Sequence, residues 1–196
     1  MEYNWIRSER LRLLLGSFFD LPSEEKRRIW RDEKTVLGYY DTEHTKNVRD
    51  WKEVFDFTVE KPIHKFGIGL VRSNTRVLCD EYAREVEKLA LKLLGLIALS
   101  LGLPENRFNS YFEDRTSFIR LNHYPPCPSP QLAIGVGRHK DSGALTVLSQ
   151  DDVGGLEVMR KADGEWITPN AYIINVGDIL QDPHPSNTNQ NLKATF

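Results

Sequence analysis

Residues 118–148 read FIRLNHYPPCPSPQLAIGVGRHKDSGALTVL, and here the hydrophobic period changes from helical to two. Alternation of this kind is the mark of half-buried strands. It predicts strands at 118–124, 132–137, 144–150, 155–160, 165–168 and 171–180. The stretches PPCPSP, DDVGG and KADGE supply the turns between them. Short strands at close spacing with tight turns point to an antiparallel sandwich, jelly roll or barrel rather than a parallel sheet.

Upstream the texture is different. Leu78, Tyr82, Val86, Leu89, Leu93 and Ile97 recur at intervals of three or four, which predicts a helix over 76–101, ended by Gly102 and Pro104. A helix with one apolar stripe must lie on something, and the predicted sheet is the candidate. Residues 1–60 are charged and aromatic. Trp5, Leu11, Leu14, Leu15, Phe18 and Phe19 can form an apolar face. LPSEEKRR reads as a helix start, with Pro22 in the first turn and Glu24 and Glu25 near the positive end of the helix dipole. Gly38 to Asp41 breaks that pattern, and 61–75 reads as loop.

Two short patterns can carry chemistry. In GRHKDSGALTVL, His139 and Asp141 stand two apart at the predicted start of a strand, so their side chains share a face. An imidazole and a carboxylate on one face can reach one metal ion, and with a distant histidine they would complete a facial triad that leaves positions open. His-x-Asp alone is a pattern that chance supplies in many chains. In FIRLNHYPPCP, Asn122 and Tyr124 share a strand face and His123 points to the other. An amide beside a phenol can hold a carboxylate or ketone oxygen by hydrogen bonds. A strand-end tyrosine packing on prolines explains the same residues.

Composition excludes several classes. The formal net charge is −2 and the pI about 6.2, so no basic excess supports nucleic-acid binding. The two cysteines, Cys79 and Cys127, form no C-x-x-C pair; each reads as a small buried residue, and together they fit a reducing compartment. The most apolar run, Leu89 to Leu103, contains Lys92 and is short for a membrane span. The charged N-terminus is unlike a signal peptide. A cytoplasmic protein without membrane contact is the expectation, and oligomeric state is left open.

The order of the elements is specific where each part is not. Asn-x-Tyr-Pro-Pro-Cys-Pro precedes His-x-Asp by about fifteen residues, followed by QDDVGGLEV, a DGEW turn and AYIINVGD. This succession closely resembles the plant 2-oxoglutarate and Fe(II)-dependent dioxygenases, the group of flavonol synthase, anthocyanidin synthase, gibberellin oxidases and aminocyclopropane-carboxylate oxidases. FFDLPSEEKRR and GYYDTEHTKNVRDWKEVFDF resemble the substrate-side flank of that group. The resemblance covers roughly 14–60 and 76–181.

The resemblance implies a mainly β chain with flanking helices, a double-stranded β-helix or jelly roll, here incomplete at the C-terminus. It implies a partial substrate-side region at 1–75, a packing helix and linker at 76–110, a partial jelly-roll core at 111–181 and a divergent tail at 182–196. It makes His139 and Asp141 metal ligands and Asn122 and Tyr124 contacts of the cosubstrate. The implied cofactors are Fe(II) and 2-oxoglutarate, with ascorbate as reductant; the implied partners are O₂ and a small plant metabolite. The reaction would release succinate and CO₂ while hydroxylating or desaturating that metabolite.

The sequence also departs from the group. The opening strands and their Asn-His-Gly turn are absent, 61–75 does not resemble it, and the stretch from Trp166 to Asn170 looks several residues short. After Gln181 the group continues with a Trp-containing strand, His-Arg, Arg-x-Ser and Pro-Phe-Phe, whereas this chain reads DPHPSNTNQNLKATF, a polar tail expected to be coil. His184 is the one histidine after Asp141 and lies between two prolines, a poor setting for a strand ligand. No arginine follows Arg160, and Arg138 and Lys140 would face away from a metal at His139. Losing a bidentate charge-assisted contact to the cosubstrate would cost about 2–4 kcal/mol. The expectation is therefore a dioxygenase by ancestry without full activity. The alternative is a non-catalytic truncated isoform or pseudoenzyme that binds a small acid or a partner chain. A cupin-like isomerase is a third reading, but it leaves the Asn-x-Tyr-Pro-Pro segment unexplained.

Overall fold

Gly38 shows how tightly the first sheet is started. Its φ is +133°, and a Cβ there would stand 2.4 Å from the carbonyl oxygen of Ile29. From it runs β1 (Gly38–Tyr40), which pairs antiparallel with β4 (Glu53–Phe57), which pairs in turn with β5 (Ile119–His123). The computed structural model describes residues 16–45, 47–58, 73–113 and 117–181. They fall into two compact units, residues 1–137 and 138–196.

In the first unit the three-stranded sheet has order β1-β4-β5. One face carries Phe55 and Phe57 of the central strand, buried with Phe18, Ile29, Tyr39 and Cys79. Phe18 stacks on Phe55 at 4.6 Å between ring centroids, and Phe55 on Phe57 at 5.4 Å. The short helix α1 (Ser23–Arg27) follows Pro22 as the sequence predicts. It turns Lys26 inward, where its ammonium donates to Glu53 at 2.6 Å and to the Phe19 carbonyl at 3.0 Å. A two-stranded ribbon, β2 (His44–Thr45) with β3 (Val48–Arg49), links β1 to β4. None of β1 to β4 is predicted from the sequence. The central strand EVFDF buries residues on both faces, Asp56 among them, so the alternation that marks a strand is lost.

The long helix α2 (Ser73–Ser100) begins three residues before the predicted start. Leu78 and Tyr82 lie against the aromatic core, which accounts for the first part of the predicted stripe. Further along, the buried residues are Leu94, Gly95 and Ala98, whereas Leu89 is exposed. The helix ends where predicted. Gly102 at φ +72° donates to the Leu99 carbonyl, and Leu103 to that of Ala98, the paired bonds of a Schellman cap. Trp5 to Leu15, most of the predicted loop at 61–75 and the tail after Gln181 lie outside the described residues.

The predicted strand at 132–137 is not one. A 3-10 turn spans Pro130–Leu132, and Ile134 makes a single parallel bridge to Asp50. PSPQL at the front and two glycines in LAIGVG leave too few side chains to pack on a pleated surface.

The second unit holds two ribbons. The strand β6 (Leu145–Leu148) pairs with β9 (Ile173–Val176), and β7 (Val158–Met159) pairs with β8 (Trp166–Ile167). These four strands stand where the sequence predicts them, though shorter. Gly164 at φ +77° closes the β7–β8 turn. After β9 the chain turns at Gly177 into the single helical turn α3 (Asp178–Gln181).

Candidate functional site

His139 and Asp141 do not lie on a strand. They sit in the irregular segment before β6, which starts at Leu145. The chain crossing beside them fixes that segment. Asp178 donates its backbone N–H to the Asp141 carbonyl at 2.8 Å, and Gly177 donates to the Ala144 carbonyl at 2.9 Å. The approach is so close that a Cβ on Gly177 would stand 2.0 Å from the Gly143 carbonyl oxygen and 2.9 Å from that of Asp141. Lys140, between the two candidates, pairs with Asp178 at 3.1 Å.

The structure brings the two side chains together. His139 Nε2 lies 3.5 Å from Asp141 Oδ1, with the imidazole half exposed and the carboxylate mostly shielded. Two ligands at about 2.1 Å on adjacent corners of an octahedron stand about 3 Å apart, so this spacing is within a small adjustment of shared coordination. One neutral nitrogen donor and one carboxylate oxygen suit a borderline divalent ion such as Fe(II). The donor set therefore fits an iron ion, to which these two residues would supply two ligands. Among the described residues no cluster of three or more His, Cys, Asp or Glu is placed to hold a metal, and His184 lies outside them.

The other oxygen of Asp141 is occupied. Asn175 on β9 donates from Nδ2 to Asp141 Oδ2 at 3.2 Å. Sequence reasoning missed this residue. The available signal was an amide inside the otherwise apolar strand Ile-Ile-Asn-Val.

Asn122 and Tyr124 belong to the first unit. They share the exposed face of the segment from β5, while His123 faces the core and stacks on Phe19 at 5.0 Å, as its alternation predicts. Around Tyr124 is an ionic cluster that the sequence did not reveal. Asp50 is buried and accepts from Thr45 Oγ1 at 2.8 Å and from the Gly137 N–H at 3.3 Å. Lys52 stands 3.2 Å from Asp50 and 2.5 Å from Glu43 Oε2; the latter contact is coulombic rather than an aligned hydrogen bond. Arg120 grips Asp56 with two bonds of 2.8 Å, and Tyr40 donates to the same carboxylate at 3.1 Å. The bond from Arg120 to Asp56 holds its guanidinium above its ordinary pKa. Burial raises the Tyr124 hydroxyl although half of the side chain meets solvent; Lys52 opposes the shift, and Asp50 adds to it. The two cations of the cluster are thus already paired with three carboxylates.

Comparisons with known proteins identify the family. Residues 115–189 match the family model described as the 2OG-Fe(II) oxygenase superfamily, and residues 7–74 match the one described as non-haem dioxygenase in morphine synthesis N-terminal. The first match runs eight residues past Gln181, into the polar tail. The chain belongs to the 2OG-Fe(II) oxygenase superfamily, in its plant branch. Gibberellin 20 oxidase 2 of Oryza sativa subsp. indica is 38% identical over 177 residues, covering 83% of this chain and 45% of the relative. Oxoglutarate-dependent flavonoid 7-O-demethylase 1 of Ocimum basilicum is 33% identical, covering 88% and 48%. The crystal structure of JOX2 in complex with 2OG, Fe and JA superposes with a TM-score of 0.74 at 31% identity, covering 89% of this chain and 54% of that one. That of the Arabidopsis thaliana dioxygenase for auxin oxidation 1 with 2-oxoglutarate gives 0.67 at 28%, covering 88% and 66%. The chain spans about half the length of the curated relatives it matches. Enzymes of this family use Fe(II) and 2-oxoglutarate and have a jelly-roll fold. Among the described residues no helix is long and apolar enough to cross a membrane.

Proposed function

We propose that this chain carries the metal-binding part of an Fe(II)- and 2-oxoglutarate-dependent dioxygenase that hydroxylates or desaturates a small plant metabolite. The observation that carries the reading is the convergence of His139 Nε2 and Asp141 Oδ1 at 3.5 Å in a loop pinned by the Gly177 crossing. In this reading the ribbons β6–β9 and β7–β8 are parts of a double-stranded β-helix. His139 and Asp141 hold Fe(II), and Asn122 and Tyr124 offer an amide and a hydroxyl to the cosubstrate. Bound iron with 2-oxoglutarate supplies the oxidising chemistry, with release of succinate and CO₂, and ascorbate keeps the metal reduced. The protein orients the donors: the chain crossing fixes the Asp141 backbone, and Asn175 takes the carboxylate oxygen that His139 does not face.

A second reading, a non-catalytic chain, is favoured by one observation. Lys52 and Arg120, the cations beside Tyr124, are committed to Asp50, Glu43 and Asp56. A distal carboxylate arriving there meets a cluster with more anions than cations, so we expect slow turnover at most from the 196-residue polypeptide.

Mn(II) binding followed by electron paramagnetic resonance tests the site. His139→Ala and Asp141→Ala should each weaken binding roughly tenfold or more. Equal affinity in all three chains would refute the metal reading. Succinate formation from 2-oxoglutarate with Fe(II) and ascorbate then separates the two functions: succinate above the His139→Ala background supports turnover, and none from a chain that binds Mn(II) supports the non-catalytic reading.

A further inference from the structure

We propose that Asn175 is a positioning residue that presents Asp141 to the metal as a one-oxygen ligand, an inference that rests on the metal reading above. Asn175 is 7% exposed and stands on β9 opposite Thr146. A carboxylate has no proton to give, so the NH₂ end of the amide must face Asp141, as it does at 3.2 Å from Oδ2. The other end, Oδ1, is buried without a hydrogen-bond partner. A buried amide with one end unmatched costs free energy that valine or leucine at the same place would avoid. What offsets that cost is the donor, which occupies one carboxylate oxygen and leaves the other toward His139. Second-layer hydrogen bonds of this type set the direction in which a ligand's lone pairs point. A carboxylate free to turn could offer both oxygens to one ion and close a coordination position that the family's chemistry needs open.

The geometry of the crossing supports the assignment. Asn175 lies two residues before Gly177, whose close approach fixes the backbone of 141–144 against β9. The donor and its acceptor are therefore held by the same backbone contact, and the amide needs no mobile loop to reach the carboxylate.

The test compares the full-length chain with Asp141→Ala, Asn175→Ala and Asn175→Leu, using Mn(II) alone as the probe. Leucine fills the space and buries no unmatched atom, so it separates lost positioning from lost packing. Mn(II) affinity is read by electron paramagnetic resonance, and metal-bound water by water-proton relaxation. We expect both Asn175 variants to bind Mn(II) about tenfold to a hundredfold more weakly, or to lose relaxivity as the freed Asp141 oxygen displaces a water, with Asn175→Leu at least as resistant to urea as the parent. Parent-like affinity and relaxivity in Asn175→Leu, with Asp141→Ala still losing the metal, would overturn the positioning role alone. Binding that Asp141→Ala leaves unchanged would overturn the metal reading and this inference with it.

Discussion

The first unit buries six hydrophobic side chains in one cluster, four of them aromatic, and carries on its other sheet face an ion pair between buried Asp56 and partly exposed Arg120. In the described part of the second unit only Asn175, Gly177 and Leu180 are buried. The first unit is thus held mainly by apolar contact, worth about 25 cal/mol for each Å² removed from water. The second holds its ribbons by ladder bonds and one tight backbone crossing, and a two-stranded ribbon alone is marginal in water. The pair read as metal ligands sits on the thinly supported unit. Directed contacts at Asp141, Ala144 and Asn175 do there what packing does in the other unit.

The sharpest way to break that contrast is to remove an aromatic side chain from the first unit. Phe55 is 2% exposed and stacked between Phe18 and Phe57. Phe55→Ala should cost about 3–5 kcal/mol of stability, read from urea unfolding. A loss below about 1 kcal/mol would mean that the cluster is not the source of stability.

Next in size is the ion pair on the opposite sheet face. Asp56→Ala leaves the Arg120 guanidinium and the Tyr40 hydroxyl without their shared acceptor. Arg120 keeps 37% of its side chain in water, so the expected loss is about 2–3 kcal/mol, below that for a fully buried pair. Asp56→Asn should recover part of it by keeping an acceptor in place. Equal losses in the two variants would show that shape, and not charge, matters there.

These features were unequally legible in the sequence. The helix α2, its Gly102 end and strands β5 to β9 follow from periodicity and turn residues, which are local signals. The strand β4 was invisible because burial on both faces erases the period of two. Its partner β1 looks like a break in the sequence, since glycine signals a bend and not the close approach to Ile29 that Gly38 makes. His139 and Asp141 were found by spacing, although the structure puts them in a loop and not on the predicted strand. Asp50 and Asn175 could not be found that way. Asp50 reaches Gly137 across 87 residues and Asn175 reaches Asp141 across 34, and no local pattern records a tertiary hydrogen bond.

In the second unit the contrast predicts an effect on the site rather than on global stability. Gly177→Ala places a Cβ where the Gly143 carbonyl oxygen stands, so one strand of the crossing must move. Mn(II) affinity should fall roughly tenfold or more, while the urea midpoint shifts less than in Phe55→Ala. Parent-like metal binding in Gly177→Ala would show that the crossing does not hold the site.

A pH-dependent effect probes the first unit at one atom. Burial pushes the Cys79 thiol up from its ordinary value of 9.0 to about 11, and neighbouring Asp80 adds to the shift. At pH 8 its thiolate is then about one part in a thousand, so an aromatic disulfide reagent should label partly exposed Cys127 first and Cys79 only on unfolding. The same shift fixes a sign. A group whose pKa is raised by folding contributes stability that is complete below its unfolded value and is lost as pH rises through the folded one. Stability should therefore decline between about pH 9 and 11. Tyr39 and Tyr40, also raised by burial, add their own decline at higher pH, so the measure is the difference between the parent and Cys79→Ala across that window. If the two curves run parallel from pH 8 to 11, the thiol is not desolvated, and the helix α2 does not cover the aromatic cluster at Cys79 as tightly as its 7% exposure requires.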